Sequence, residues 1–311
     1  MSTTGFIESL AKGIRERSTD FRWADFSALE LPLPTLEEQE KVVAYLDRET
    51  ARIDSLIEKK QRQIELLKEK RQAIITQAVT KGLDPDVPMK DSGVEWLGEV
   101  PEHWTTLQTR YLLFDIEQGK SPECESRPAG DGEWGVLKTG CVNRGIFDAS
   151  QNKALPSSLE PHTEYKVCAG DILMSRASGS IDLIGSAAFV PEVNQQLLLS
   201  DKIFRLKYSS RVKPEFLTLA LGSTPSRKQI ELSINGAEGL ANNITKPSIK
   251  AIKVCLPPIM EQKEILEWVA AEQKKTDGLI LKTNQSIDLL KERRSALITA
   301  AVTGQIDVWG E

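Results

Sequence analysis

The chain carries only two histidines, His103 and His162, and four cysteines, Cys124, Cys141, Cys168 and Cys255, with no C-x-x-C pair among them. Ligands scattered this widely do not make a structural zinc site, and the thiols read as reduced ones in a cytoplasmic protein. Long apolar runs are missing too. Stretches such as "QQLLLS" fall far short of the roughly 18 residues that would suggest a membrane span, so no membrane association is expected. The opening "STTGFIESLAKGIRERS" has no basic start, apolar core or small-residue cleavage site, and so does not read as a secretory signal. Nor is there an excess of positive charge. Forty basic against 45 acidic residues give a formal net charge of -5, so any binding of nucleic acid must be local or shared with a partner. No Asn- or Asp-Pro-Pro-aromatic tetrad, glycine-rich P-loop, or Ser/His/Asp or Cys/His set is evident, and the chain reads as non-catalytic. The E-x-K triplet Glu164-Tyr165-Lys166 reads as a chance triplet or a surface ion pair.

What the sequence does contain is a repeat. Sliding it by 223 residues aligns Leu33 to Thr80 with Leu256 to Thr303 without a gap, at about twenty identities in 48 positions. "KEKRQAIITQAVT" at Lys68 to Thr80 thereby matches "KERRSALITAAVT" at Lys291 to Thr303. Each copy reads as one long helix: Pro34 and Pro257 punctuate the start, acidic residues crowd the first turn, and Gly82 and Gly304 follow the end. Such a helix of about 44 residues is roughly 65 Å long. Apolar residues recur on heptads. Val43, Ile57, Ile64 and Ala78 form one seam position, with Leu46, Ile53, Leu67 and Ile74 beside it. The second copy gives Leu266, Ile280, Ile287 and Ala301, with Val269, Leu290 and Leu297 beside them. A coiled coil is the plain reading. The seam is interrupted at matching places, Thr50 with Gln273, Lys60 with Thr283 and Arg71 with Arg294, which read as register specifiers or as long stems at the seam's edge. Either direction of pairing is sterically open, and antiparallel pairing within the chain is the preferred arrangement.

Between the helices, short apolar runs such as "GDILMSR", "IGSAAFV" and "KIFRLKY" alternate with turn residues, while "VKPEFLTLALGS" and "SRKQIELSI" read as helices. This predicts a mixed α+β domain over 81–255, flanked by helices over 34–80 and 257–303, with a tail over 304–311. Residues 1–31 correspond loosely to the segment before the second helix and read as the remnant tail of another such domain. Trp96 and Trp104 are read as packing anchors.

The opening "MKDSGVEWLGEVPEHW" of Met89 to Trp104, the stretches "KTGCVNRG" and "AGDILMSRASGSIDLIGSAAFV", and the twice-used element leading into a helix that ends "KERRSALITAAVTGQID" together resemble the specificity (S) subunit of type I restriction-modification systems, over essentially the whole chain. The resemblance implies target-recognition domains alternating with two long helices that pair as an antiparallel spacer. Each domain would read one half of a split site on double-stranded DNA. Adenine DNA methyltransferase subunits would clamp the frame, and a translocase-endonuclease subunit would cut unmethylated DNA. S-adenosylmethionine, ATP and magnesium would then belong to those partners, and this chain would bind no cofactor and no metal. The chain departs from the family pattern in its first recognition domain, of which only residues 1–31 correspond. A second copy or another half-specificity subunit would then be needed. The competing reading is a non-productive interaction protein, a decoy, silent cassette or truncated product that holds methyltransferase subunits without directing methylation.

Base edges are read by Arg, Lys, Asn, Gln, Ser and Thr on exposed loops, and phosphates are held by Lys and Arg. Four loops offer such groups: Gln118, Lys120 and Ser121; Lys138, Thr139, Asn143 and Arg144; Ser175, Arg176, Ser178 and Ser180; and Asn242, Asn243, Thr245 and Lys246. The helix-pairing set is Leu46, Ile53, Ile57, Ile64, Leu67, Arg71 and Ile74 with Val269, Ile280, Ile287, Leu290, Arg294 and Leu297.

Overall fold

In a computed structural model, Trp23, Ser27, residues 33–234 and residues 242–307 are described; the 1–31 remnant lies almost entirely outside them. Two compact units result, one reaching up to Lys68 and resuming at Lys275, the other spanning Glu69–Lys274. Helix α1 covers Leu36–Lys81. Its start is a capping box: the Glu38 carboxylate accepts from the Thr35 backbone N–H at 2.7 Å, and the Thr35 hydroxyl accepts from the Glu38 N–H at 3.4 Å. Gly82 follows its end with φ +76°, a left-handed conformation that glycine tolerates best.

The first unit includes segments of α1 and of α5, the helix Ile259–Val302. Among the described residues of these helix segments, Ile53, Ile64, Thr276, Thr283, Ile287 and Ala301 are buried. Leu46, Ile57, Leu67, Ile280, Leu290 and Leu297 are half-buried along the same stripes. Two of the polar interruptions satisfy themselves inside their own helix: Thr50 donates to the Leu46 carbonyl at 2.6 Å and Thr283 to that of Leu279 at 2.8 Å. Arg294 leaves the seam and grips Asp54 from the flank, at 2.9 and 3.2 Å. Val43 departs from the heptad reading: it is 55% exposed, while Val42 is half-buried. The stripe near this end steps through 42, 46, 49 and 53, because a straight 3.6-residue helix drifts off a strict seven-residue repeat. Leu56, Leu66, Leu279, Leu281 and Leu289 remain exposed on the outer faces.

The second unit holds β1 (Met89–Asp91), β2 (Glu99–Pro101), β3 (Thr105–Gln108), β4 (Leu113–Gln118), β5 (Trp134–Leu137), β6 (Asn152–Ala154), β7 (Ile172–Ser175), β8 (Ala187–Phe189), β9 (Gln196–Leu198), β10 (Ile203–Tyr208), α2 (Pro214–Gly222), α3 (Thr224–Ser233), α4 (Lys246–Ala251) and β11 (Lys253–Leu256). The central sheet has the order β4-β10-β7-β8 and is antiparallel throughout. A second sheet, β6-β5-β9, pairs β5 parallel to β9. Side chains alternate across the central sheet as the pleat requires. Ile116, Ile172, Met174, Phe204 and Leu206 face a large core with α2 and α3, whereas Leu173, Ala188 and Ile203 face a smaller one with Val142, Leu197 and Leu199.

That larger core also takes in Ile75, Ala78 and Val79 from the last turns of α1 and Ile265 and Val269 from the first turns of α5. The heptad reading missed Ile75, Val79 and Ile265, because these helix ends serve a globular core as well as a seam. Gln262 is fully buried. It accepts from the Lys213 N–H at 2.8 Å and donates to the carbonyls of Arg211 and Pro257 at 3.3 and 2.9 Å. Its repeat counterpart, Gln39, makes the same bond to Pro34 at 2.8 Å. Trp104, 1% exposed, is the expected anchor: its indole N–H donates to Glu261 at 2.9 Å, and His103 meets the other oxygen of that carboxylate at the same distance. Trp96 is more exposed than a packing anchor would be, at 38%. The end of α1 thus approaches the beginning of α5, with Gly82 beside Glu261, while Asp54 in the middle of α1 meets Arg294 late in α5. The two helices run antiparallel.

Candidate nucleic-acid interface

The register of the central sheet places the last residue of β4 beside the start of β10, since Gln118 pairs with Phe204. The same edge carries the end of β7, where Ser175 pairs with Ile203, and the start of β8, where Ala187 pairs with Met174. Since β5 runs parallel to β9, the loop from Lys138 and the turn at Asp201 leave their sheet in the same direction. Asn243 bridges to Ala177, and the Ile244 N–H donates to the Arg176 carbonyl at 2.9 Å. Gly145 approaches the Ala187 carbonyl. All four donor-rich loops therefore gather along one edge of the domain.

Asp201, in the turn between β9 and β10, ties this edge together. Its carbonyl accepts from Gln118 Nε2 at 2.8 Å and, at the limit of hydrogen bonding, from Arg176 Nη1 at 3.5 Å. The Ser121 hydroxyl donates to Asp201 Oδ1. Close approach of β4 to this turn requires Gly119, since a Cβ there would lie 2.0 Å from the Leu199 carbonyl oxygen. A second device presents Arg144. It has φ 57°, with Gly145 at φ 79°, and the Ile146 N–H returns to the Asn143 carbonyl at 3.3 Å. Two consecutive left-handed residues make a tight primed turn, which holds Arg144 exposed at its tip at a cost of about 1–2 kcal/mol for a non-glycine residue.

Not every sequence-derived residue keeps a free donor. Ser175 is 1% exposed and its hydroxyl is committed to the Leu183 carbonyl, so it is a sheet residue and not a surface donor. The cause is its place inside β7, one residue short of the loop. Gln118 spends its amide N–H on Asp201, and Thr245 caps α4 by accepting from the Ser248 N–H at 3.2 Å. Lys138, Thr139, Asn143, Arg176, Ser178, Asn242 and Asn243 are half-buried, while Lys120, Ser121, Ser180 and Lys246 are exposed. Lys120 Nζ also sits 6.0 Å from the centre of the Tyr165 ring. Lys202, exposed beside Asp201, and Asp201 itself were missed, because a carboxylate is the wrong charge for a polyanion and "SDK" carries no periodic signal.

Away from this edge, Arg205 is buried within β10 at 5% exposure. It pairs with Glu117 at 3.1 Å, lies 3.1 Å from Asp171 and donates to the Lys166 carbonyl. This ion cluster clips the 166–171 loop to the sheet. Cys141 and Cys255 are buried, and burial pushes their thiols up to about 12 and about 11 respectively. Neither is a thiolate at neutral pH. Among the described residues no group of three or more His, Cys, Asp or Glu is placed to hold a metal ion, and no helix is long and apolar enough to cross a membrane.

The domain thus presents a donor-rich edge, in a chain whose two long helices pair antiparallel. The model of the type I restriction modification DNA specificity domain matches residues 112–288, and the chain belongs to that family. It is similar to the specificity subunit of the type I restriction enzyme EcoKI of Escherichia coli (strain K12), 24% identical over 303 residues, which is 96% of this chain and 62% of that protein. The specificity subunit of the Escherichia coli enzyme EcoEI is 28% identical over 220 residues, 69% of this chain and 36% of that protein. The chain thus spans about one to two thirds of the length of these relatives. Among solved structures, a chain from a type I restriction-modification system shares the fold, with TM-score 0.64 at 17% identity over 94% of this chain and 66% of that one.

Proposed function

We propose that this chain is a non-catalytic DNA-recognition subunit of a type I restriction-modification complex, working in the cytoplasm. The observation that carries the proposal is the gathering of four donor-rich loops on one sheet edge in a member of this family. The domain reads one half of a split site in double-stranded DNA. Arg144, Lys120 and Lys246 supply contacts to phosphates or base edges, and a second recognition domain from another subunit reads the other half. The paired helices set the spacing and dock the adenine methyltransferase subunits, and a translocase-endonuclease joins the same frame. Bound S-adenosylmethionine, ATP and magnesium belong to those partners. The negative net charge fits binding that depends on the assembled complex.

The test is selection from a random duplex pool by the chain together with its methyltransferase subunit. One sequence class is enriched, its affinity falls steeply with salt, and Arg144→Ala lowers the slope of log K against log salt by about 1. Equal retention of all duplexes by the assembled complex, or no retention at any salt, contradicts the proposal and favours a decoy that holds methyltransferase without reading DNA.

A further inference from the structure

Asp201 is the acidic residue on which two loops of the candidate interface, those of Gln118–Ser121 and of Arg176, converge, and its carboxylate is half used. Oδ1 accepts from Ser121, and Gln118 and Arg176 hold the backbone carbonyl. Among the described residues Oδ2 has no hydrogen bond, and no cation lies within 4.0 Å of the carboxylate. Lys202 beside it and Lys120 beside Ser121 are exposed, as is Glu123 in the same loop, and Asp201 itself is half-exposed. A carboxylate on a surface that meets a polyanion is repelled by phosphate oxygens. It is also acceptor-only, so it can engage only N–H or O–H donors. On duplex DNA the donors offered in the major groove are the exocyclic amines of cytosine, N4, and adenine, N6.

Resting on the DNA-recognition reading above, we propose that Asp201 is a specificity-determining residue, accepting the exocyclic amine of a cytosine or adenine through Oδ2 while Ser121 fixes the orientation of the carboxylate. Among the residues hydrogen-bonded to the Asp201 turn, Gln118 and Ser121 carry both donors and acceptors and Arg176 only donors. The Asp201 carboxylate only accepts, so it rejects a base that presents only acceptors at that position.

The test is sequencing of methyladenine in strains expressing the cognate methyltransferase subunit with the native chain, Asp201→Asn or Ser121→Ala. Asparagine keeps the size and can still accept from Ser121, but it adds an N–H donor. The expected result is a native motif with cytosine or adenine at one position, at which Asp201→Asn lowers discrimination about ten-fold while the other positions persist. Ser121→Ala relaxes that position to a smaller degree; it removes the acceptor of the Asp201 N–H, at 3.2 Å, but leaves the turn's carbonyl bonds to Gln118 and Arg176 in place, so it serves as the readout if Asp201→Asn accumulates poorly. An unaltered motif in either folded variant, including one methylated uniformly less, assigns Asp201 to scaffolding and overturns the proposal. A native strain with no methylated motif instead defeats the underlying DNA-recognition reading, and this one with it.

Discussion

At Gly119 a single hydrogen in place of a methyl lets β4 run against the Leu199 backbone. A Cβ at this position would lie 2.0 Å from the Leu199 oxygen and 2.4 Å from its carbonyl carbon. No rotamer relieves a clash with backbone, so Gly119→Ala must shift the turn that carries Asp201. We expect a loss of about 3 kcal/mol, read as a fall in Tm of roughly 6–12 °C. Around Gly179 the space a Cβ would fill is open, with nothing within 4 Å. Gly179→Ala, the control on the neighbouring loop, therefore stays within about 1 kcal/mol of the native chain. Equal melting of Gly119→Ala and the native chain would show that the close approach does not hold the turn. Loop chemistry was legible here from residue type, since Asn, Ser, Lys and Arg cluster between apolar runs. The hydrogen-bond partners were not. Whether Gln118 or Ser175 offers its donor outward depends on strand ends and on contacts between segments distant in sequence, which composition does not encode.

At the scale of elements, the two long helices were the most legible feature, because a heptad pattern repeated in register over 48 positions records its own periodicity. Its failures have local causes. Val43 lost its place to Val42 through helical drift, and Ile75, Val79 and Ile265 turned toward a globular core that the seam pattern does not describe. Arg294 acts across the flank through Asp54, a paired geometry at 39% and 51% side-chain exposure. A double-mutant cycle of Asp54→Ala and Arg294→Ala is expected to give a coupling of about 0.2–1 kcal/mol, as for other exposed pairs, shrinking as salt is raised. Zero coupling at low salt would mean that the pair does not contribute to helix pairing. The short strands were legible as a class, but the order β4-β10-β7-β8 was not, because long-range pairing is fixed by a shared core that no single strand specifies.

At the scale of the whole molecule, an antiparallel helix pair and a donor-rich recognition edge occur together in a member of the specificity family. On the proposed reading, the chain chooses where a partner subunit acts. The most direct measurement is the methylome of a strain lacking other adenine methylation and expressing this chain with its cognate methyltransferase subunit. Methyladenine is expected to be confined to one split motif, and to move to a different motif or vanish when the chain is replaced or omitted. Methyladenine at the same sites without this chain, or no methyladenine although the two proteins assemble, would contradict a role in choosing the site.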